Sequence, residues 1–288
     1  MIHVRLAGGL GNQLFQYAAG RALALRRGTG LLLDTRELGR GGPAHSVYGL
    51  HHFAIEARIA RDADLPPDRS RPLAHLLWRR FGRNPRFLRE RGLGLNSAVL
   101  DAPDGTYLHG YFQSEAYFSD ALPALRHELS IVTAPSAENA GWLARIAADG
   151  DAVSLHMRRG DYVSDAKGAT THGTCDAAHY RRAIAALTER TGRTPSLYVF
   201  SDDPDWVRTN LDLGLPMHVP GHNGPDVPHE DLRLMSACRH HIIANSTFSW
   251  WAAWLDPRPD AITIAPRRWF ANPSLSNPDI LPARWIAV

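Results

Sequence analysis

Short apolar runs recur through the second half of this chain, and polar residues cluster just behind them. Ala152–His156, Leu197–Phe200, Met217–Val219, His241–Ala244 and Ala261–Ile264 each have the length and the β-branched or aromatic content of a buried strand. Between them, helical period is legible at Ala177–Arg190, from Pro204, at His229–Arg239 and up to Leu255. Strands alternating with helices predict a parallel sheet covered on both faces. The N-terminus repeats the plan. Ile2–Leu6 reads as a strand and Ala7-Gly8-Gly9-Leu10-Gly11 as a loop open to close backbone approach. Leu14, Phe15, Ala18, Ala19, Ala22 and Leu23 line one face of a helix, with Asn12 placed to cap it and Gly28 to stop it. Gly30–Asp34 is the next strand. The expectation is an α/β fold of two Rossmann-like domains, residues 1–147 and 148–288. Pro135–Gly150 reads as a helix at their boundary, with Trp142, Leu143 and Ile146 as its apolar face.

In an open parallel sheet the carboxyl ends of the strands share one edge, and ligands bind there. His156, Arg158, Arg159 and Asp161 follow one strand. Ser201 and Asp202 follow another, and Asn245, Ser246, Thr247, Phe248 and Ser249 follow a third. Neighbouring side chains on an extended backbone point to opposite sides. One of Arg158 and Arg159 can therefore reach a ligand while the other braces the fold. A planar guanidinium suits bidentate contact with phosphate oxygens. The helix start at Ser246–Ser249 offers amide donors and the positive end of a dipole to the same kind of anion. Arginine pairs alone carry little weight here, since Lys167 is the only lysine and Arg26-Arg27, Arg79-Arg80, Arg181-Arg182 and Arg267-Arg268 are pairs too. The setting at a strand end is the signal.

Rival chemistries fit less well. Gly9-x-Gly11 with Asp34 downstream begins a dinucleotide fingerprint, but Leu14 occupies the position of its third glycine. Asp203-Pro204-Asp205 is an Asp-x-Asp that could hold a divalent cation. Asp203 also reads as the cap of a helix that Pro204 opens, and no metal is expected. Cys175 and Cys238 form no framework, and the histidines have no zinc spacing. A net charge of +3 permits an anionic ligand, while the dispersed arginines argue against nucleic acid. No apolar run is long enough to span a membrane, and Met1 runs straight into a strand rather than a secretion signal. From Arg58 to Arg91, ten arginines stand against four acids, with Trp78, Phe81 and Phe87 among them. That stretch reads as a solvated face with snorkelling arginines. A helix lying on an anionic membrane surface and an acceptor lid are its alternatives.

His156-Met157-Arg158-Arg159-Gly160-Asp161 resembles the His-x-Arg-Arg-x-Asp signature of the fucosyltransferases that use GDP-fucose. Gly8–Tyr17, Gly110–Glu115, Phe200–Asp203 and Ile243–Trp251 extend the likeness over nearly the full length, with Pro43–Asn96 matching least. The chain resembles a bacterial member of glycosyltransferase family 11, the α-1,2-fucosyltransferases. The resemblance implies a GT-B-like fold, two facing Rossmann-like domains with an inter-domain cleft. It implies inverting transfer of L-fucose from GDP-β-L-fucose to O2 of a terminal galactose on a glycan acceptor, without a cofactor. Catalysis would fall to Arg158, Asn12, His156 and Asp161. The donor would meet Arg158, Arg159, Ser201, Asp202, Asp231, Asn245, Ser246, Thr247, Phe248, Ser249, Gly9 and Gly11. Asp231 would accept the guanine N–H pair; a dipole-favoured acid at a helix start is its other reading. The general base stays open among Asp161, His156, Glu115 and the departing phosphate. A cytoplasmic enzyme, peripheral to the inner membrane on the alternative reading of the arginine-rich stretch, is the expected setting. A GDP-sugar-binding module without turnover and an NAD-dependent oxidoreductase are the other functions to weigh.

Overall fold

The computed structural model describes residues 1–39, 46–67, 72–81, 86–159 and 173–288. They fall into two units, Met1–Ser130 and Ile131–Val288. In the first, β1 (Ile2–Arg5) and β2 (Leu31–Asp34) flank α1 (Leu10–Arg26) and pair in parallel. The six apolar residues expected on the inner face of α1 are all 0% exposed. Gly20 lets this helix close on the sheet, because a Cβ there would stand 3.0 Å from the Leu31 side chain. Next come β3 (Arg58–Ile59), α2 (Pro72–Phe81), β4 (Phe87–Arg89), α3 (Ser97–Leu100), β5 (Tyr107–His109) and α4 (Leu122–Glu128). The strand order is β3-β2-β1-β5-β4, parallel throughout.

The cap of α1 differs from expectation. Gly9, not Asn12, is the N-cap, and its carbonyl accepts from the Asn12 and Gln13 amides. The chain turns early because Gly8 adopts a φ of +78°, where a Cβ would meet the Asn12 side chain at 2.6 Å. Asn12 is thereby carried into the first helical turn.

The second unit opens with α5 (Ala137–Ala148), so the division lies earlier than residue 147. Its Asn139, 2% exposed, exchanges side-chain hydrogen bonds with Asn223 at 2.9 and 3.0 Å, which fastens the helix to the C-terminal sheet layers. After α5 come β6 (Ala152–Met157), α6 (Ala177–Thr191), β7 (Ser196–Ser201), α7 (Pro204–Asn210), β8 (Met217–His218) and α8 (Pro228–Ala237). β9 (His240–Ile242), α9 (Thr247–Leu255), β10 (Thr263–Ala265) and β11 (Ile286–Ala287) complete it. The order β11-β10-β9-β6-β7-β8 is again parallel. β6 lies inside this sheet and all its residues are buried. Val153, Leu155, Val199, Ile242 and Ile264 pack with Tyr180 and Leu187 of α6 into one core.

A polar chain crosses this unit's interior. The Asp256 carboxylate accepts from His241 Nε2 at 2.9 Å, so Nδ1 is left to accept the Ser154 hydroxyl at 2.8 Å. Arg258 binds the same carboxylate. The His241 and Asp256 side chains are 0% exposed, so the arrangement ties β6 to β9 and cannot meet a substrate. Burial holds the His241 pKa below its ordinary value. For Asp256 burial works toward a higher pKa, but hydrogen bonds from His241 and Arg258 outweigh it and hold the pKa low. Both shifts act with one sign. The unfolded chain takes up protons first, so stability falls as pH drops below the ordinary imidazole range and again through the carboxylate range. Urea unfolding should give a lower free energy at pH 5 than at pH 7, and Asp256→Ala should remove about 3–5 kcal/mol at pH 7. An unchanged midpoint in that variant would deny the network its structural role.

Candidate functional site

Helices that return between parallel strands run antiparallel to them. The starts of α7, α8 and α9 therefore lie at the edge where the strands end. β6 and β7 pair in register up to Met157 opposite Ser201, so the next residues, Arg158 and Asp202, emerge side by side. Arg158 Nε stands 3.2 Å from Asp202 Oδ2, and Asp202 Oδ1 accepts the Arg159 amide at 2.8 Å. One carboxylate thus orients a guanidinium and pins the backbone behind it. Arg159 goes elsewhere, as the alternation of side chains requires. Its guanidinium carbon lies 3.4 Å from the centroid of the Trp206 ring, and its Nε is 3.7 Å from Asp203 Oδ2. Arg159 braces α7, and Arg158 keeps to the strand ends.

Asp203 caps α7 by accepting the Trp206 amide at 3.1 Å, with Pro204 in the first turn as expected. Asp205 pairs with Arg208 instead, at 2.8 Å. The Ser201 hydroxyl oxygen accepts the Asp203 amide at 3.1 Å and shapes this turn.

Ser246 caps α9, its hydroxyl oxygen accepting the Phe248 amide at 3.3 Å. Thr247 and Phe248 form the half-buried first turn. Two other residues read as donor contacts have their side chains turned inward. Asn245 donates to the carbonyls of Gly173 at 3.2 Å and Trp269 at 3.1 Å. Ser249 is 0% exposed and donates to the Ser246 carbonyl at 3.3 Å. His156 is buried at the end of β6 with its ring 5.8 Å from that of Phe248, which brings the Arg158 strand up to the start of α9. Burial, with Arg158 adding to it and Asp202 opposing, lowers the His156 pKa to about 4. The imidazole is neutral at pH 7. Asp161 lies outside the described residues. Burial also pushes the Cys175 thiol up to about 11, so this cysteine is unreactive.

At the start of α8, Asp231 accepts from Asn223 Nδ2 at 2.8 Å, and Asn223 is held by Asn139. His222 reaches the same Asn139 oxygen at 2.8 Å and stacks on Trp142. Burial, with Glu230 nearby, raises the Asp231 pKa to about 7 against the Asn223 hydrogen bond. A carboxyl poised near neutrality at a strand-end helix start is a candidate for recognition of an N–H pair.

In the N-terminal unit, Asn12 Oδ1 accepts from Gln113 Nε2 at 3.0 Å. Gly9 is the helix cap and Gly11 is buried in the first turn. Two glutamines fix this loop. Gln16 accepts the Ala7 amide and donates to the Gly110 carbonyl, both at 3.0 Å, while Gln13 bonds Gly8, Val47 and Gly49. The Gly110–Glu115 motif is shaped by Glu90, whose carboxylate accepts the Tyr111 and Phe112 amides. Phe112 has a φ of +53°, a strained value for an aromatic residue at a turn. Ser114 caps the short helical turn that contains Glu115. Trp206, Asn223 and Glu90 carry no motif signal in the sequence; a tryptophan two residues after a helix-opening proline is the nearest thing to one. Among the described residues, no group of acids, histidines and cysteines could hold a metal ion.

Residues 91–288 match the model of the family described as Glycosyl transferase family 11. An alpha-1,2-colitosyltransferase of Escherichia coli is 31% identical, covering 100% of this chain and 99% of that protein. The galactoside 2-alpha-L-fucosyltransferase Sec1 of Mus musculus is 25% identical over 88% of this chain and 64% of its own. Among solved structures, an Arabidopsis thaliana FUT1 mutant in complex with GDP aligns over 98% of this chain and 74% of that one. Its TM-score is 0.52 at 14% identity, a likeness of fold.

Proposed function

This chain belongs to glycosyl transferase family 11, and we propose that it transfers L-fucose from GDP-β-L-fucose to O2 of a terminal galactose on a glycan, with inversion. The observation that carries the reading is Arg158, oriented by Asp202, at the strand end that His156 joins to the Ser246-capped start of α9. As the sugar leaves, negative charge grows on the β-phosphate. A guanidinium and a helix start directed there stabilise the transition state more than the bound donor. Asp202 orients the guanidinium beforehand, so little rearrangement accompanies the reaction. This electrostatic pair neutralises the diphosphate without a metal. Asp231 takes the guanine, because only guanine offers an adjacent pair of N–H donors. The acceptor falls to the N-terminal unit through Asn12 and Gln113. His156, with its pKa lowered to about 4, is a weak base at neutral pH. The acceptor proton therefore passes to Asp161, to Glu115 or to the departing phosphate.

The relative named for colitose sets the sharpest test, since colitose is L-fucose without its 3-hydroxyl. The kcat/KM for GDP-fucose and for its 3-deoxy analogue should be measured with galactosides in the presence of EDTA. Fucose should win by about 10⁴-fold if the site hydrogen-bonds the 3-hydroxyl, because the analogue leaves buried polar groups unpaired. Preference for the analogue would move the reading to a dideoxy sugar. Loss of activity in EDTA would remove the metal-free account, and no GDP release with any acceptor would leave a sugar-nucleotide sensor.

Arg158→Lys keeps the charge and loses the planar fork. Its kcat should fall by about 100- to 1000-fold. Turnover at the wild-type level would remove the clamp.

The raised Asp231 pKa predicts a pH dependence of binding. Only the carboxylate can accept both guanine N–H groups, so GDP affinity should rise with pH through about 7. Titration calorimetry from pH 6 to 8 should give a steeper rise for the wild type than for Asp231→Asn. Parallel profiles would free Asp231 from the guanine.

A further inference from the structure

Helix α2 has two apolar sides and only one of them is packed. On the inner side, His75 and Trp78 meet the Phe87 ring of β4, at 6.1 and 5.9 Å, and Trp78 also meets Tyr107 of β5 at 6.1 Å. His75 Nδ1 lies 2.9 Å from the Pro67 carbonyl oxygen. On the outer side, Leu73, Leu76 and Leu77 are 75%, 55% and 57% exposed. Their spacing places them on one stripe, and the exposed Arg80 continues it one turn further. A soluble helix ordinarily carries charge on such a face. This one contains no acidic residue at all.

The surroundings give the stripe a sign. β4, the edge strand against which α2 packs, ends in the exposed Arg89, and the exposed Arg91 follows it. The whole stretch from Arg58 to Arg91 holds ten arginines and four acids. An exposed leucine stripe continued by an arginine, in a stretch of sequence with this excess of cations, is unusual on a free surface. It has the composition of a helix lying in a lipid–water boundary, with leucines among the acyl chains and arginines reaching the phosphates. A second copy of the chain fits the patch poorly, because it would set the same arginines against one another. At ten residues α2 is far too short to cross a bilayer, and no described helix is long and apolar enough to do so.

We propose that α2 is an interfacial anchor that seats the N-terminal unit on an anionic bilayer, with Leu73, Leu76 and Leu77 inserted and Arg80 and Arg89 on headgroup phosphates. Flotation of the full chain with vesicles tests this. Vesicles of phosphatidylcholine mixed with phosphatidylglycerol should carry the protein, and phosphatidylcholine alone should bind it about tenfold more weakly or less. The variant Leu73→Gln, Leu76→Gln, Leu77→Gln should lose about tenfold or more of the binding to mixed vesicles. Because these side chains face solvent, its melting temperature and its turnover of a water-soluble acceptor should match the wild type. Failure of the wild type to float, or equal flotation of the variant, would overturn the proposal. So would a wild-type dimer in solution that the variant dissolves, which would assign the stripe to a second copy.

Discussion

The parallel pairing of β6 with β7, from Ala152 opposite Ser196 to Met157 opposite Ser201, decides where the polar groups of the C-terminal unit emerge. One residue beyond the last pair, Arg158 and Asp202 come level, and their contact follows from register rather than from a chance meeting of loops. A slip of one residue would move every side chain of β6 to the other face. That slip is costly because the strand is buried throughout, between β7 and β9. β9 in turn pairs through Leu155 opposite Ile242, which sets the start of α9 beside the same strand end.

The two units stabilise their loops by different means. In the C-terminal unit the agents are charged: Asp202 and Asp203 balance Arg158 and Arg159, so two cations can sit at adjacent positions without mutual repulsion dominating. The Arg158 guanidinium is thereby held in one orientation at the strand end, with the Asp202 carboxylate beside it. In the N-terminal unit a carboxylate, Glu90, holds the Gly110–Glu115 turn, while neutral amides hold the glycine loop. Gln13 and Gln16 secure the glycine loop through backbone bonds and add no net charge beside it.

Much of this was legible in the sequence because it rests on local period and local chemistry. The inner face of α1, the Asp203 cap with Pro204 behind it, and the start of α9 at Ser246–Ser249 are read from neighbouring residues. What escaped depends on contacts across long stretches of chain. β3, β4 and β11 are two or three residues long, too short to alternate visibly, and β3 and β4 lie among arginines. That α5 groups with the second unit rests on Asn139 and Asn223, which are far apart in sequence. Gly8, not Asn12, governs the start of α1 through a backbone angle that no side-chain pattern reports. His241, which no motif singles out, is the middle of a buried chain from Ser154 to Asp256.

The polar motif from Ile243 to Trp251 illustrates how buried side chains set the course of the backbone into a helix. Asn245 holds the carbonyls of Gly173 and Trp269, and Ser249 holds that of Ser246. These bonds fix the direction from which the backbone enters α9. An anion at a helix start is bound largely by the backbone, through amide groups and the dipole behind them. The side chains that set the backbone path therefore decide where those amide groups point. Changing Asn245 or Ser249 would alter the aim of the helix rather than delete a contact. A motif read from residue types alone cannot separate those two roles, because burial decides between them.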